Sequence, residues 1–134
     1  MKEKNILLNK IKPLLNKQQQ ISLLCLHFSI INGYKPTNTD FEKMERDLKL
    51  LNLTFDSLKG YSGWDIAVND LISIPQELKE LIFLNSIEFL NVNGKLNEQR
   101  MNQAEKIFTK LGISSEKAMS ILGKFMSLKK NFDF

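Results

Sequence analysis

The 134-residue chain has a single cysteine, a single histidine and a single tryptophan, and only two valines. The lone Cys25 cannot close an intrachain disulfide, so the fold has no covalent staple and a reducing, cytoplasmic setting is expected. One Cys and one His also exclude a Cys/His structural zinc site within one chain. Cys25 and His27 would point about 200° apart on a helix. They therefore cannot act together, and their apolar surroundings in 21–31 give both a structural role. Two Val and four Thr stand against 21 Leu, 13 Ile, nine Phe and five Met, a balance that disfavours sheet and favours helix. Long apolar runs are missing too. Leu23-Leu24-Cys25-Leu26 is far short of the roughly 18 residues of a membrane span, and Asn9 and Lys10 interrupt Ile6-Leu7-Leu8 before a signal-peptide core is complete. The net charge of +4 is not a property of the body of the chain: residues 1–20 carry five Lys and one Glu, residues 124–134 three Lys and one Asp, and residues 21–123 eleven basic against thirteen acidic groups. Lysine-rich ends without arginine or interleaved aromatics do not identify a specific nucleic-acid partner. The same lysines flank Ile6, Leu7, Ile11, Leu14 and Leu15, which leaves peripheral membrane contact open.

Helical signals fill the remainder. Pro13 predicts a break or a sharp kink between a first short helix and a second running from Leu14 to a left-handed stop at Asn32-Gly33. Thr39-Asp40-Phe41-Glu42 has capping-box spacing and predicts a helix from about Asp40, with Phe41, Met44, Leu48 and Leu51 inward and Glu42, Glu45, Arg46 and Lys49 on the wet side, ending at Asn52. Thr54 caps a short turn through Leu58. Asp65 caps a helix to Ile72, and Ser73-Ile74-Pro75-Gln76 opens another with Leu78, Leu81, Ile82, Ile87 and Leu90 inward. Asn93-Gly94 turns the chain. Asn97 caps a helix with stripe Met101, Ala104, Phe108 and Leu111, Gly112-Ile113 ends it, and Ser114 caps the last helix before a frayed tail at 129–134.

The two halves repeat. Ile31-Asn32-Gly33 matches Val92-Asn93-Gly94 at an offset of 61, and Leu51-Asn52-Leu53 matches Leu111-Gly112-Ile113 at an offset of 60. Each half reads as helix, Asn-Gly loop, capped helix, left-handed stop, short helix. One such unit buries a single face, so two must pack together. The expectation is an all-α, compact bundle of about seven helices built from two pseudo-twofold-related repeats, about 20–60 and 75–128, in one domain spanning 1–134.

The segments Asn91-Val92-Asn93-Gly94-Lys95-Leu96-Asn97-Glu98-Gln99-Arg100 and Ile107-Phe108-Thr109-Lys110-Leu111-Gly112-Ile113-Ser114 resemble the TerB-like domains of bacterial tellurite-resistance proteins, related to the N-terminal domain of the DjlA co-chaperone. The resemblance implies a helical accessory module of bacterial stress or defence systems whose partners are other proteins. That family places carboxylates around the loop glycine, which suggests cation binding; here the equivalents are Asn32 and Asn93. An EF-hand loop set on Gly94 would have Phe89 and Arg100 where calcium needs carboxylates, so that chemistry is excluded. Glu88, Asn93 and Glu98 are the remaining weak candidates for a cation, and no cofactor is expected.

No phosphate loop, nucleophile elbow or histidine constellation is present, and Glu42, Glu45 and Asp47 read as a solvated helix face, so no catalytic residue is assigned and the chain is expected not to be an enzyme. Large apolar groups outside the repeats are the best anchors for a protein partner: Tyr61 and Trp64 in the glycine-flanked loop, and Phe132 and Phe134 in the tail. A small immunity, antitoxin or anti-defence protein acting by occlusion and, by the same resemblance, a divalent-cation-binding TerB-like sensor are the alternative readings.

Overall fold

A computed structural model describes residues 5–60 and 63–132, with side chains to residue 127. Seven α-helices account for most of it: α1 (Ile6–Ile11), α2 (Lys17–Ile31), α3 (Asn38–Leu50), α4 (Trp64–Leu71), α5 (Gln76–Ser86), α6 (Glu98–Leu111) and α7 (Ser115–Phe132). The break predicted at Pro13 is a 3-10 turn over Lys12–Leu14. Asn16 then opens α2 with a capping box: its side chain accepts from Gln19 N at 2.8 Å while Gln19 Oε1 accepts from Asn16 N at 3.0 Å. α2 is the hub. It lies along α4 and touches α3, α6 and the turn Ile87–Leu90. It is therefore buried on most sides, with Leu23, Leu24, Leu26, Ile30 and Ile31 each 1% exposed or less. The core extends from there through Met44, Leu48, Leu71, Ile82, Phe89, Ile107, Phe108 and Leu111.

Local stop signals act as read at several ends. Asn52 (φ 56°) and Gly112 (φ 109°) are left-handed, and each is followed by the same closing bond, Leu53 N to Leu48 O at 2.9 Å and Ile113 N to Phe108 O at 2.8 Å. Asn97 accepts from Arg100 N, and Ser114 Oγ from Lys117 N.

Four local expectations are corrected. Thr37, not Thr39, caps α3, accepting from Asp40 N at 3.2 Å while Asp40 accepts from Thr37 N at 2.7 Å. This earlier start turns Asp40 inward and leaves Phe41 44% exposed. Gly33 is not a left-handed stop; a methyl group there would sit 3.1 Å from Gln103 Cβ and 3.2 Å from Gln99 O, so glycine admits α6 close to the end of α2. Ser73 does not cap α5, which starts from Pro75 without a side-chain cap, and Gly63 rather than Asp65 precedes α4. Asn93-Gly94 does turn the chain, but as the tip of a two-residue hairpin, β1 (Asn91–Val92) paired antiparallel with β2 (Lys95–Leu96), with both turn residues at positive φ.

Candidate functional site

An open cleft of about 410 Å³ lies between α2 and the 3-10 turn Phe55–Leu58. One wall is Cys25, Phe28, Ser29 and Asn32, spaced 3, 4 and 7 along α2 and so on one helical face. The other is Phe55, Leu58 and Lys59, with Gly63 closing the lining. Thr54 holds this turn in place: Ser57 N donates to Thr54 O at 3.0 Å and Thr54 N donates back to Ser57 Oγ at 3.1 Å. Phe55 meets Phe28 edge to face, 5.9 Å between ring centroids, yet remains 41% exposed. Burial, and after it the charge of Asp70, pushes the Cys25 thiol up to about 11. Asp70 itself accepts from Ser22 Oγ at 2.8 Å. The α2 wall of the cleft thus carries a protonated, poorly nucleophilic sulfur at neutral pH.

Trp64 is the first residue of α4, directly after Gly63, and packs half-buried against the core. Tyr61 and Phe134 lie outside the described residues, as does the side chain of Phe132, whose backbone ends α7. The cation candidates are placed apart. Glu88 pairs with Arg46, Asn93 occupies the hairpin turn and Glu98 is exposed in the first turn of α6. Among the described residues no three His, Cys, Asp or Glu side chains are grouped as a metal site would need.

Two buried polar assemblies escaped the sequence reading. In the first, Arg100, fully buried, grips Asp40 with both terminal nitrogens, Nη1 to Oδ1 at 2.9 Å and Nη2 to Oδ2 at 2.7 Å, and also donates to Phe89 O and Lys35 O. Burial pushes the Asp40 carboxyl up, but the hydrogen bonds from Arg100 and Thr37 outweigh it and hold it below the usual carboxylate range. In the second, Asp47 corrects the expectation of a solvated face: it is fully buried, and its Oδ1 accepts from Asn5 Nδ2 at 3.2 Å and Arg46 Nε at 2.9 Å. Arg46 continues to Glu88, Asn5 to Asn85 Oδ1 at 3.0 Å, and Asn85 Nδ2 to His27 Nε2 at 3.5 Å. Burial raises the Asp47 and Glu88 carboxyls against the pull of Arg46. Burial, with Arg46 second, lowers His27 to about 3, so the imidazole is neutral. It lies on Phe89 with ring centroids 4.8 Å apart.

The basic N-terminal segment is partly committed inside the molecule. Lys12 Nζ donates to Leu50 O and Lys17 Nζ to Leu51 O, so both cations sit at the carbonyl end of α3. No helix among the described residues is long and apolar enough to cross a membrane. Compared with known protein families, with curated proteins and with solved structures, the chain has no match.

Proposed function

We propose that this chain is a non-enzymatic, TerB-like accessory module of a bacterial stress or defence system, built from two helical repeats and acting by binding another protein at the cleft between α2 and Phe55–Leu58. The observation that carries the binding reading is that cleft: a rigid helical wall faces a short capped turn, and Phe55 is left half out of the molecule over Phe28. An aromatic side chain held this way gives a partner contact area at little entropic cost. Trp64, next in sequence to the cleft-lining Gly63, packs partly buried against the core.

The chemistry of the rare residues supports a role without catalysis. His27 is buried, neutral and bonded to Asn85, and the Cys25 thiol is pushed up to about 11, so neither serves as base or nucleophile at neutral pH. The repeat reading is supported by equivalent positions doing equivalent work. Thr37 and Asn97, sixty residues apart, cap α3 and α6. Asn52 and Gly112, again sixty apart, end those helices left-handed. Asp40 and Arg100, also sixty apart, occupy the third helical position of α3 and α6 and bind one another.

The test is capture by the full-length chain from bacterial lysate, read by mass spectrometry, beside Phe55→Glu and Leu58→Glu. A partner held by the wild type and lost from both variants, with helical circular dichroism unchanged, is the expected result. An identical captured set from all three would remove the cleft as the docking surface.

A further inference from the structure

We propose that Asn93 is a site of spontaneous isoaspartate formation, a modification that the hairpin tip admits and that the fold denies to Asn32, although both asparagines stand in the same Asn-Gly dipeptide. The reaction is intramolecular. The backbone nitrogen of the following glycine bonds to the asparagine Cγ, the side-chain nitrogen leaves as ammonia with the proton that the backbone nitrogen gave up, and a five-membered succinimide remains. Water then opens the ring at either carbonyl and leaves an aspartyl or an isoaspartyl link. Nothing is oxidised or reduced. Glycine favours the attack because no side chain shields its nitrogen.

Ring closure needs a glycine N–H that can be freed, an asparagine backbone that can rotate towards its own side chain, and water. Asn93-Gly94 meets all three. Both residues are exposed, and a methyl group on Gly94 would meet no described atom within 4 Å. The turn closes a ladder of two residue pairs, Asn91 with Leu96 and Val92 with Lys95, so it opens locally without unwinding a helix. Gly94 N is restrained by a single side chain, donating to Asn91 Oδ1 at 2.8 Å in an exposed bond.

Asn32 is exposed as well, so access to the side chain does not separate the two sites. The backbone does. With ψ at −4° Asn32 continues α2, Gly33 N donates to Ile30 O at 3.0 Å, and Gly33 lies so close under α6 that a methyl group there would sit 3.1 Å from Gln103 Cβ and 3.2 Å from Gln99 O. Swinging the Asn32–Gly33 peptide into the ring would break that bond and push on α6. At Asn93 the product has a definite effect. An isoaspartyl link adds a carbon to the backbone of a two-residue turn in which both residues hold positive φ, so Val92 and Lys95 no longer pair. Either product sets a carboxylate beside Lys95 and lowers the net charge of +4 by one.

Incubating the full-length chain at mildly alkaline pH tests this. Peptide mapping with fragmentation that separates isoaspartyl from aspartyl links follows each site over time, against an unaged sample digested in parallel, and an isoaspartate-specific carboxyl methyltransferase measures the total. Asn93 is expected to convert at least about tenfold faster than Asn32, a difference of about 1.4 kcal/mol in barrier. In guanidinium chloride strong enough to unfold the chain the two rates are expected to converge, because the dipeptide is the same. Asn93→Gly, which keeps the positive φ and removes the reacting amide, is expected to abolish methyl acceptance by the folded chain, whereas Asn32→Ala leaves it unchanged. Asn32 converting as fast as Asn93 in the folded chain, Asn93 staying intact there while it converts in the unfolded one, or methyl acceptance surviving Asn93→Gly would each overturn the proposal.

Discussion

Replacing Arg100 by Met removes the guanidinium that joins four pieces of the chain, since its donors reach Asp40 in α3, Phe89 O in the turn before β1 and Lys35 O in the loop before α3, while its own backbone opens α6. Methionine keeps most of the volume, so the effect measured is chiefly electrostatic. The Asp40 carboxylate, 2% exposed, then keeps only Thr37 as a hydrogen-bond partner. Breaking a buried pair from one side costs about 3–5 kcal/mol. For a domain of this size that is a fall in melting temperature on the order of 10 °C. Urea unfolding followed at the helical circular-dichroism band measures it. The pH dependence identifies the cause. In the wild type the folded-state pKa of Asp40 is depressed, so the stability it contributes is present above its unfolded value of 3.8 and is lost as pH falls through the folded value. Without Arg100 the burial that pushes the carboxyl up has lost its strongest opponent, so the variant gains from protonating Asp40. The gap between the two proteins must therefore be widest near neutrality and narrow towards pH 3. Asp40→Asn combined with Arg100→Met should recover part of the loss. A deficit below about 1 kcal/mol that is flat with pH would refute the assignment of this pair as the central polar tie.

Asp47→Asn is expected to be at least as stable as the wild type at pH 7, because burial raises the Asp47 carboxyl and its Oδ2 finds no hydrogen-bond partner among the described residues; the raised group costs the wild type stability as pH climbs through its folded pKa, and chemical denaturation across pH 4–8 should show that decline removed. His27, pushed down to about 3, should give ring resonances that do not titrate between pH 5 and 8, in the Nδ1-protonated form that leaves Nε2 to accept from Asn85; because its folded pKa lies below the unfolded 6.5, wild-type stability falls with acid below that value by up to about 1.4 kcal/mol per pH unit, and His27→Gln should flatten the slope. Gly33→Ala should lose about 1–3 kcal/mol in urea unfolding, since its methyl would press on Gln103 Cβ, Ile30 O and Gln99 O, whereas Gly123→Ala, whose methyl meets no described atom within 4 Å, should gain about 0.5–1 kcal/mol.

What could be read from the chain in advance was whatever a few neighbouring residues decide. Asn97, Ser114, Thr54, Asn52 and Gly112 each act through a backbone group no more than five positions away, and each does what its type and place imply. Where two local answers compete, the winner is chosen from afar. Thr37 and Thr39 both stand three residues before an acid, and it is Asp40, turned inward, that pairs with both terminal nitrogens of the distant Arg100. The same holds for Asp47, which periodicity places beside solvated neighbours and which Asn5, a donor 42 positions away that is itself held by Asn85, makes a buried acceptor. The cleft was illegible for a related reason. Its α2 wall reads as core by spacing, and only the position of Phe55–Leu58 opposite it leaves the row Cys25, Phe28, Ser29, Asn32 partly uncovered. Of the aromatics that composition singled out, Trp64 packs half-buried against the core, whereas Phe55, to which no local signal pointed, is 41% exposed.

The position of the Asp40–Arg100 pair bears on the duplicated reading itself. If α3 and α6 are copies, Asp40 and Arg100 are their equivalent third helical positions, and two identical repeats would bring like residues together there. Two aspartates in that dry site would repel, and so would two arginines, each with buried polar atoms unsatisfied. On that reading, only divergence of the two copies within one chain allows an acid to meet a base at this point. The acid keeps a second task in its own half, closing the capping box with Thr37, while the base takes up the carbonyls of Phe89 and Lys35 that border both halves. On the duplicated reading, the difference at this equivalent pair is what lets an acid meet a base there, and it is not erosion of the repeat. The Asn-Gly dipeptide is common to Asn32-Gly33 and Asn93-Gly94 for different reasons: Gly33 leaves room for α6 at the end of α2, whereas Gly94 supplies a positive φ in the hairpin turn.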